Sequence, residues 1–182
     1  MRYFTPELLR RTRSRDEDVA EAASAEWDDR LDDYAEHLKS LRRAMPLQAR
    51  RAVRRVPSLH DADFLGYLVE KTAPRITLVV RLEGREGEPG PLMVFRYLTA
   101  TPDSRQNIAA EQADVAMKGD PARHKARILL DEFDQADGNT FTHSVLLSNG
   151  RIFRAHFRDM SARRVEPLTV PGSLEEPALA FA

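Results

Sequence analysis

At Pro57 the hydrophobic rhythm of the chain changes, and this limits the available folds more than any other feature of the sequence. Before it, Val19, Ala23, Trp27, Leu31, Tyr34, Leu38, Leu41 and Met45 recur at steps of three or four, the spacing of one helical face. After it, ITLVVRLE (76–83) and LMVFRYLT (92–99) are rich in β-branched and aromatic residues and flank the glycine- and proline-rich GREGEPGP, the pattern of two neighbouring antiparallel strands. The rhythm predicts an α+β protein. An N-terminal antiparallel helical hairpin (1–57) leads into a mostly antiparallel β-sheet domain (58–167), a sandwich or a partly open barrel. Residues 168–182 contain Pro171 and Pro177 and follow Pro167, so they are expected to form an irregular tail, lying over the body through Leu168, Val170, Leu174 and Phe181.

Local signals refine this outline. Ser14 with Glu17 three residues on is a capping-box start for the long helix, and Asp16, Glu17 and Asp18 suit its positive end. Pro46 suits the start of a second helix carrying Leu47, Ala49, Ala52, Val53 and Val56, which Pro57 closes. DFLGYLV (63–69) fits helix or strand, and Gly66 tips the choice to strand. RQNIAAEQADVAMK (105–118) stays open between a helix and a connection. ARILLDEF (126–133) precedes the turn Asp137-Gly138-Asn139, and Asn149-Gly150 between FTHSVLLS and RIFRAHFR is the preferred two-residue loop of a type I′ hairpin.

Charge excludes some functions and localises others. The 28 basic and 29 acidic side chains nearly cancel, so the chain lacks the global field of a nucleic-acid or anionic-membrane binder. Their distribution is uneven: ten acids face two arginines between Arg15 and His37, and seven bases face no acid between Lys39 and Arg55. Such faces can support one another across a hairpin, or meet a partner locally, with Arg50, Arg51, Arg54 and Arg55 as the binding patch. No aromatics interleave with these arginines, which argues against nucleic acid and leaves another protein as the partner. No cysteine is present, so disulfides, thiolate metal sites and cysteine nucleophiles are excluded. The N-terminus MRYFTPELLRR lacks a signal-peptide core and no stretch is apolar enough to span a bilayer, so the expected location is the cytoplasm.

Chemistry-bearing motifs are sparse. The phosphate-cradling and nucleophile-elbow glycine patterns are absent. The acids of LLDEFD sit between apolar residues on a strand, where outward exposure suits them better than acid–base chemistry. A type I′ turn at Asn149-Gly150 would place Leu147 opposite Ile152 and His143 opposite His156, so that two imidazoles could share a divalent metal if a third ligand converged. Candidate ligands are His60, Asp61 or Asp63 from LHDAD, and Asp131, Glu132 or Asp134 from LLDEFD. Without a third ligand the histidines are polar residues on a half-exposed sheet, and no cofactor is implied.

The segments MRYFTPEL, AEW with Tyr34, LHDAD, LLDEFD and THSVLLSNGRIFRAHFRD together resemble a bacterial family of unknown function whose members open M-[KR]-Y-F-T. The resemblance implies a cytoplasmic bacterial protein with an aspartate–glutamate pair ahead of a histidine and a glycine hairpin, here Asp131, Glu132, His143 and Gly150. Where a relative carries aspartate before that glycine, this chain has Asn149. The resemblance assigns no reaction, and it draws attention to His60, Asp61, Glu132 and His143. Two functions remain: a non-enzymatic protein-interaction module, which the polarised surfaces favour, and a metal-binding domain or metal-dependent hydrolase built on His143 and His156.

Overall fold

Thr5 and Pro6 start a helix that the hydrophobic rhythm does not announce. In the computed structural model, which describes residues 1–70, 72–84, 89–99, 108–112 and 126–167, the Thr5 hydroxyl accepts from the Leu8 amide and Pro6 takes the first position of α1 (Pro6–Thr12). The Ser14 amide donates to Arg11 O, closing the last turn of α1, so the amide that a capping box would offer Glu17 is taken, and the Ser14 hydroxyl accepts from the Asp16 amide. Asp16 caps α2 (Glu17–Ala44) instead, accepting from Val19 N, two residues beyond the expected capping box. α3 (Leu47–Arg55) follows Pro46, which has no side chain able to cap. Asp159, far along the chain, supplies the missing acceptor and takes the Ala49 amide at 3.0 Å.

The strands are β1 (Asp63–Val69), β2 (Arg75–Arg81), β3 (Leu92–Thr99), β4 (Ile108–Gln112), β5 (Ile128–Asp137), β6 (Thr140–Leu147) and β7 (Arg151–Val165). The chain is therefore α+β, with its helices ahead of an antiparallel sheet that curls into a half-barrel. Strand order is β1-β2-β3-β7-β6-β5. The first half of β7 pairs with β6 on one side and β4 on the other, and its second half pairs with β3. β4 settles part of the open segment 105–118, and the remainder of that segment lies outside the described residues, as does the expected tail. At one end the outer strands meet: Asp63 bridges Arg127, the Phe64 amide donates to Ala126 O, and the Ile128 amide donates to Ala62 O. Gly66 takes φ 132° at the bulge between Phe64 and Gly66, which explains how a glycine sits inside β1.

α3 fills the concave face. Ala49, Ala52 and Val53 are buried with Leu41 and Met45 against Ile76, Leu78, Phe95, Tyr97, Phe141 and Phe157, so helices and sheet share one core. The main packing partner of α3 is β7, whereas α2 runs beside α1 and reaches β5. α2 and α3 consequently form no ion pair with each other among the described residues: the acidic and basic segments meet only where Lys39 reaches Glu36 on the same helix, so the mutual support expected across the hairpin is not made. Glu26 is held by Arg11 and Arg30 instead.

The β6–β7 hairpin departs from expectation by one residue. Leu146 pairs with Ile152, Thr142 with His156 and His143 with Ala155. Gly150 alone of the turn residues takes positive φ (79°), the Gly150 amide donates to Leu147 O, and the Asn149 side chain accepts from the Arg151 amide. This is a three-residue loop ending in a left-handed glycine, whereas a type I′ turn would need positive φ at Asn149 as well. A one-residue shift sends every side chain of a strand to the opposite face relative to its partner. The expected pair of facing imidazoles does not form.

Candidate functional site

The register shift parts His143 from His156, and the five candidate metal ligands fall in three places. His60 and Asp61 stand exposed on the loop entering β1, with His60 Nδ1 2.9 Å from Asp61 Oδ2 and Asp61 itself at φ 63°. The Asp61 amide donates to Ile128 O, which anchors this loop to the start of β5, roughly 13 Å along the strand from Glu132 at 3.3 Å per residue. His143 points into the half-barrel. Glu132 and His156 lie on its outer face. Among the described residues no group of three or more histidines or carboxylates is arranged to hold a metal ion.

Inside, His143 is fully buried, stacked on Phe133 at 4.0 Å and flanked by Phe95. Tyr97 Oη lies 2.6 Å from His143 Nδ1, and Asp131 Oδ2 lies 3.3 Å from Nε2. Burial, and secondarily the Asp131 charge, push the Tyr97 phenol well above its ordinary value, so it keeps its proton and donates to Nδ1. Nε2 then carries the imidazole proton and faces Asp131, a single assignment that satisfies all three groups. The chain Tyr97–His143–Asp131 has the order of a proton relay but presents no exposed nucleophile, and it ties β3, β6 and β5 together through the core.

Outside, three strands place their side chains in two rows. Glu132, Ser144 and Arg154 form one, and Asp134, Thr142 and His156 form the next. Each row runs from an acid on β5 through a hydroxyl on β6 to a base on β7. These six residues, with Met1 and Arg2, line a cavity of about 400 Å³. Neighbouring Leu146 and Ile152 are covered by Leu9, with Met1 and Trp27 packed against them, so the rows begin where the apolar cover ends. His156 Nδ1 is 3.1 Å from Thr142 Oγ1, and burial, then the nearby Arg154 charge, hold the imidazole below its ordinary value.

Glu132, 2% exposed, has a structural task at the cavity edge. It accepts the amides of Arg2, Tyr3 and Phe4, the last two at 3.1 and 3.2 Å, and so binds the N-terminal strip to β5. Phe4 then packs on Trp27 and Tyr34, and the Tyr34 hydroxyl accepts the Phe133 amide at 2.8 Å. Short motifs that are far apart in sequence, MRYF, AEW, Tyr34 and LLDEFD, thus converge in one cluster. His37 Nε2 lies 2.9 Å from Asp134 Oδ1, which also accepts the Gln135 amide. Sequence reasoning found Glu132 and His156 but not their rows, because the row membership depends on the register of a turn. Of the predicted binding patch, Arg51, Arg54 and Arg55 are exposed on α3, and Arg50 folds back to donate to Arg43 O and Met45 O. Comparison with family models, with curated proteins and with solved structures returns no match.

Proposed function

We propose that the chain is a non-enzymatic interaction module of the cytoplasm that docks an acidic protein surface through α3. The observation that carries this reading is the outer stripe of that helix: Leu47, 58% exposed, stands on the same side as Arg51, Arg54 and Arg55, and none of the three guanidiniums has a carboxylate partner among the described residues. An apolar side chain ringed by arginines is the composition of an interface centre, where arginine is enriched and an apolar anchor is desolvated on binding. The underside of the same helix is held by the core and by Asp159, so the stripe is displayed on a rigid support. The exposed acidic residues of α2, among them Asp28, Asp29, Asp32 and Asp33, steer the approach by repelling an acidic partner everywhere except at α3. No helix among the described residues is long and apolar enough to cross a membrane.

A photo-crosslinking residue in place of Leu47, used in cells of the source organism, tests the reading. The expected result is a discrete protein adduct that disappears when Arg51, Arg54 and Arg55 are changed to glutamate. The same triple variant should keep its melting behaviour to within about 0.5 kcal/mol, because these residues are exposed and unpaired. An adduct that survives charge reversal, or one to nucleic acid, would overturn the proposal.

A further inference from the structure

Ser144 sets the outer cavity apart from an ordinary surface dent. It is 4% exposed, its side chain lines the cavity, and its hydroxyl makes no hydrogen bond among the described residues. The hydroxyl opens on the cavity, so a molecule seated there can take it as donor or acceptor. Two further groups around it are also incompletely used: His156 Nε2 and Asp134 Oδ2 have no partner among the described residues. Ser144 and His156 do not bond each other, and Thr142 occupies Nδ1 of the histidine, so no nucleophile and base are coupled here. The arrangement is one for binding.

The charge order identifies the kind of ligand. Acids stand on β5 and bases on β7, two strand spacings or roughly 9.5 Å apart at the backbone, with hydroxyls between, and the guanidinium of Arg2, which also borders the cavity, lies over the Tyr3 ring. A compact dianion such as phosphate cannot reach both sides, and Glu132 and Asp134 repel it. A molecule with an ammonium at one end and a carboxylate at the other meets both walls at once. The cavity volume, about 400 Å³, lies within the range of small-ligand sites. We propose that this cavity binds a small zwitterion of amino-acid or dipeptide size, its ammonium toward Asp134 and its carboxylate on Ser144 and His156 beside Arg154.

The test is a titration of the isotope-labelled full chain, followed by the backbone amides of Asp134, Ser144 and His156. The probes are 4-aminobutanoate and glycylglycine, the N-acetyl and methyl-ester forms of each, and inorganic phosphate. At least one zwitterion should give saturable shifts at all three positions, and blocking either charged end should weaken binding about tenfold or more. The two zwitterions differ in length, so their ranking tells an amino acid from a dipeptide. Ser144→Ala should bind about tenfold more weakly while its thermal stability is unchanged or raised, since no protein bond is lost. A purely structural serine would show neither the binding loss nor the site-specific shifts. Equal binding of the blocked forms, saturation by phosphate alone, or no zwitterion response up to about 10 mM would overturn the proposal.

Discussion

Glu132 shows how one buried side chain can be placed for architecture and still border a surface cavity. Its carboxylate accepts three consecutive amides that would otherwise be unpaired beneath α2. Glu132→Ala should therefore cost about 3 kcal/mol and release the strip Arg2–Phe4, seen as faster amide exchange there. Tyr97→Phe removes the donor to a fully buried imidazole and should cost on the order of 1–3 kcal/mol in chemical denaturation. Glu26 gives a pH signature. Hydrogen bonding to Arg11, helped by Arg30, lowers its folded-state value below the ordinary 4.5. The stability it contributes is complete above 4.5 and is lost as pH falls through the lower folded value. Denaturation curves of Glu26→Gln and the parent chain should differ at neutral pH and converge under strong acid.

Elements with a strong period were legible in the sequence, and those fixed by distant partners were not. β3 spans the expected Leu92–Thr99, and the choice of a strand for 63–69 holds because Gly66 marks a bulge. α1 escaped notice although Thr5-Pro6-Glu7 carries a cap, a proline at the first position and an acid in the first turn, since seven residues are too few to display a period. The cap of α3 could not be read locally at all, because Asp159 comes from β7. Asp159→Ala should cost about 1 kcal/mol and speed exchange at the start of α3. The hairpin was found but its register was not: Asn-Gly serves both two- and three-residue loops, and the choice rests with Leu146 and Ile152 meeting beneath Leu9. Gly150→Ala should cost roughly 1–2 kcal/mol in denaturant titrations, because φ 79° is a left-handed conformation.

At the scale of the molecule, the charge blocks were legible and their use was not. Their signs and positions follow from counting, but whether they neutralise each other depends on where α3 lies, and core burial of Ala49, Ala52 and Val53 takes it to the sheet. The candidate cavity was legible only in part for the same reason: residue types can be read in order, whereas rows across three strands need two registers at once.

The meeting of β1 with β5 also bears on how the chain reaches this state. The seam joins segments distant in sequence through one bridge, Asp63 with Arg127, and three backbone hydrogen bonds, fewer pairings than neighbouring strands of the sheet share, so it recovers least of its loop-closure entropy. It should be the last part of the sheet to assemble and the first to come apart. In native-state exchange, the amides of Asp61, Phe64 and Ile128 should open at lower denaturant than those of β3 and the second half of β7, before the rest of the protein unfolds.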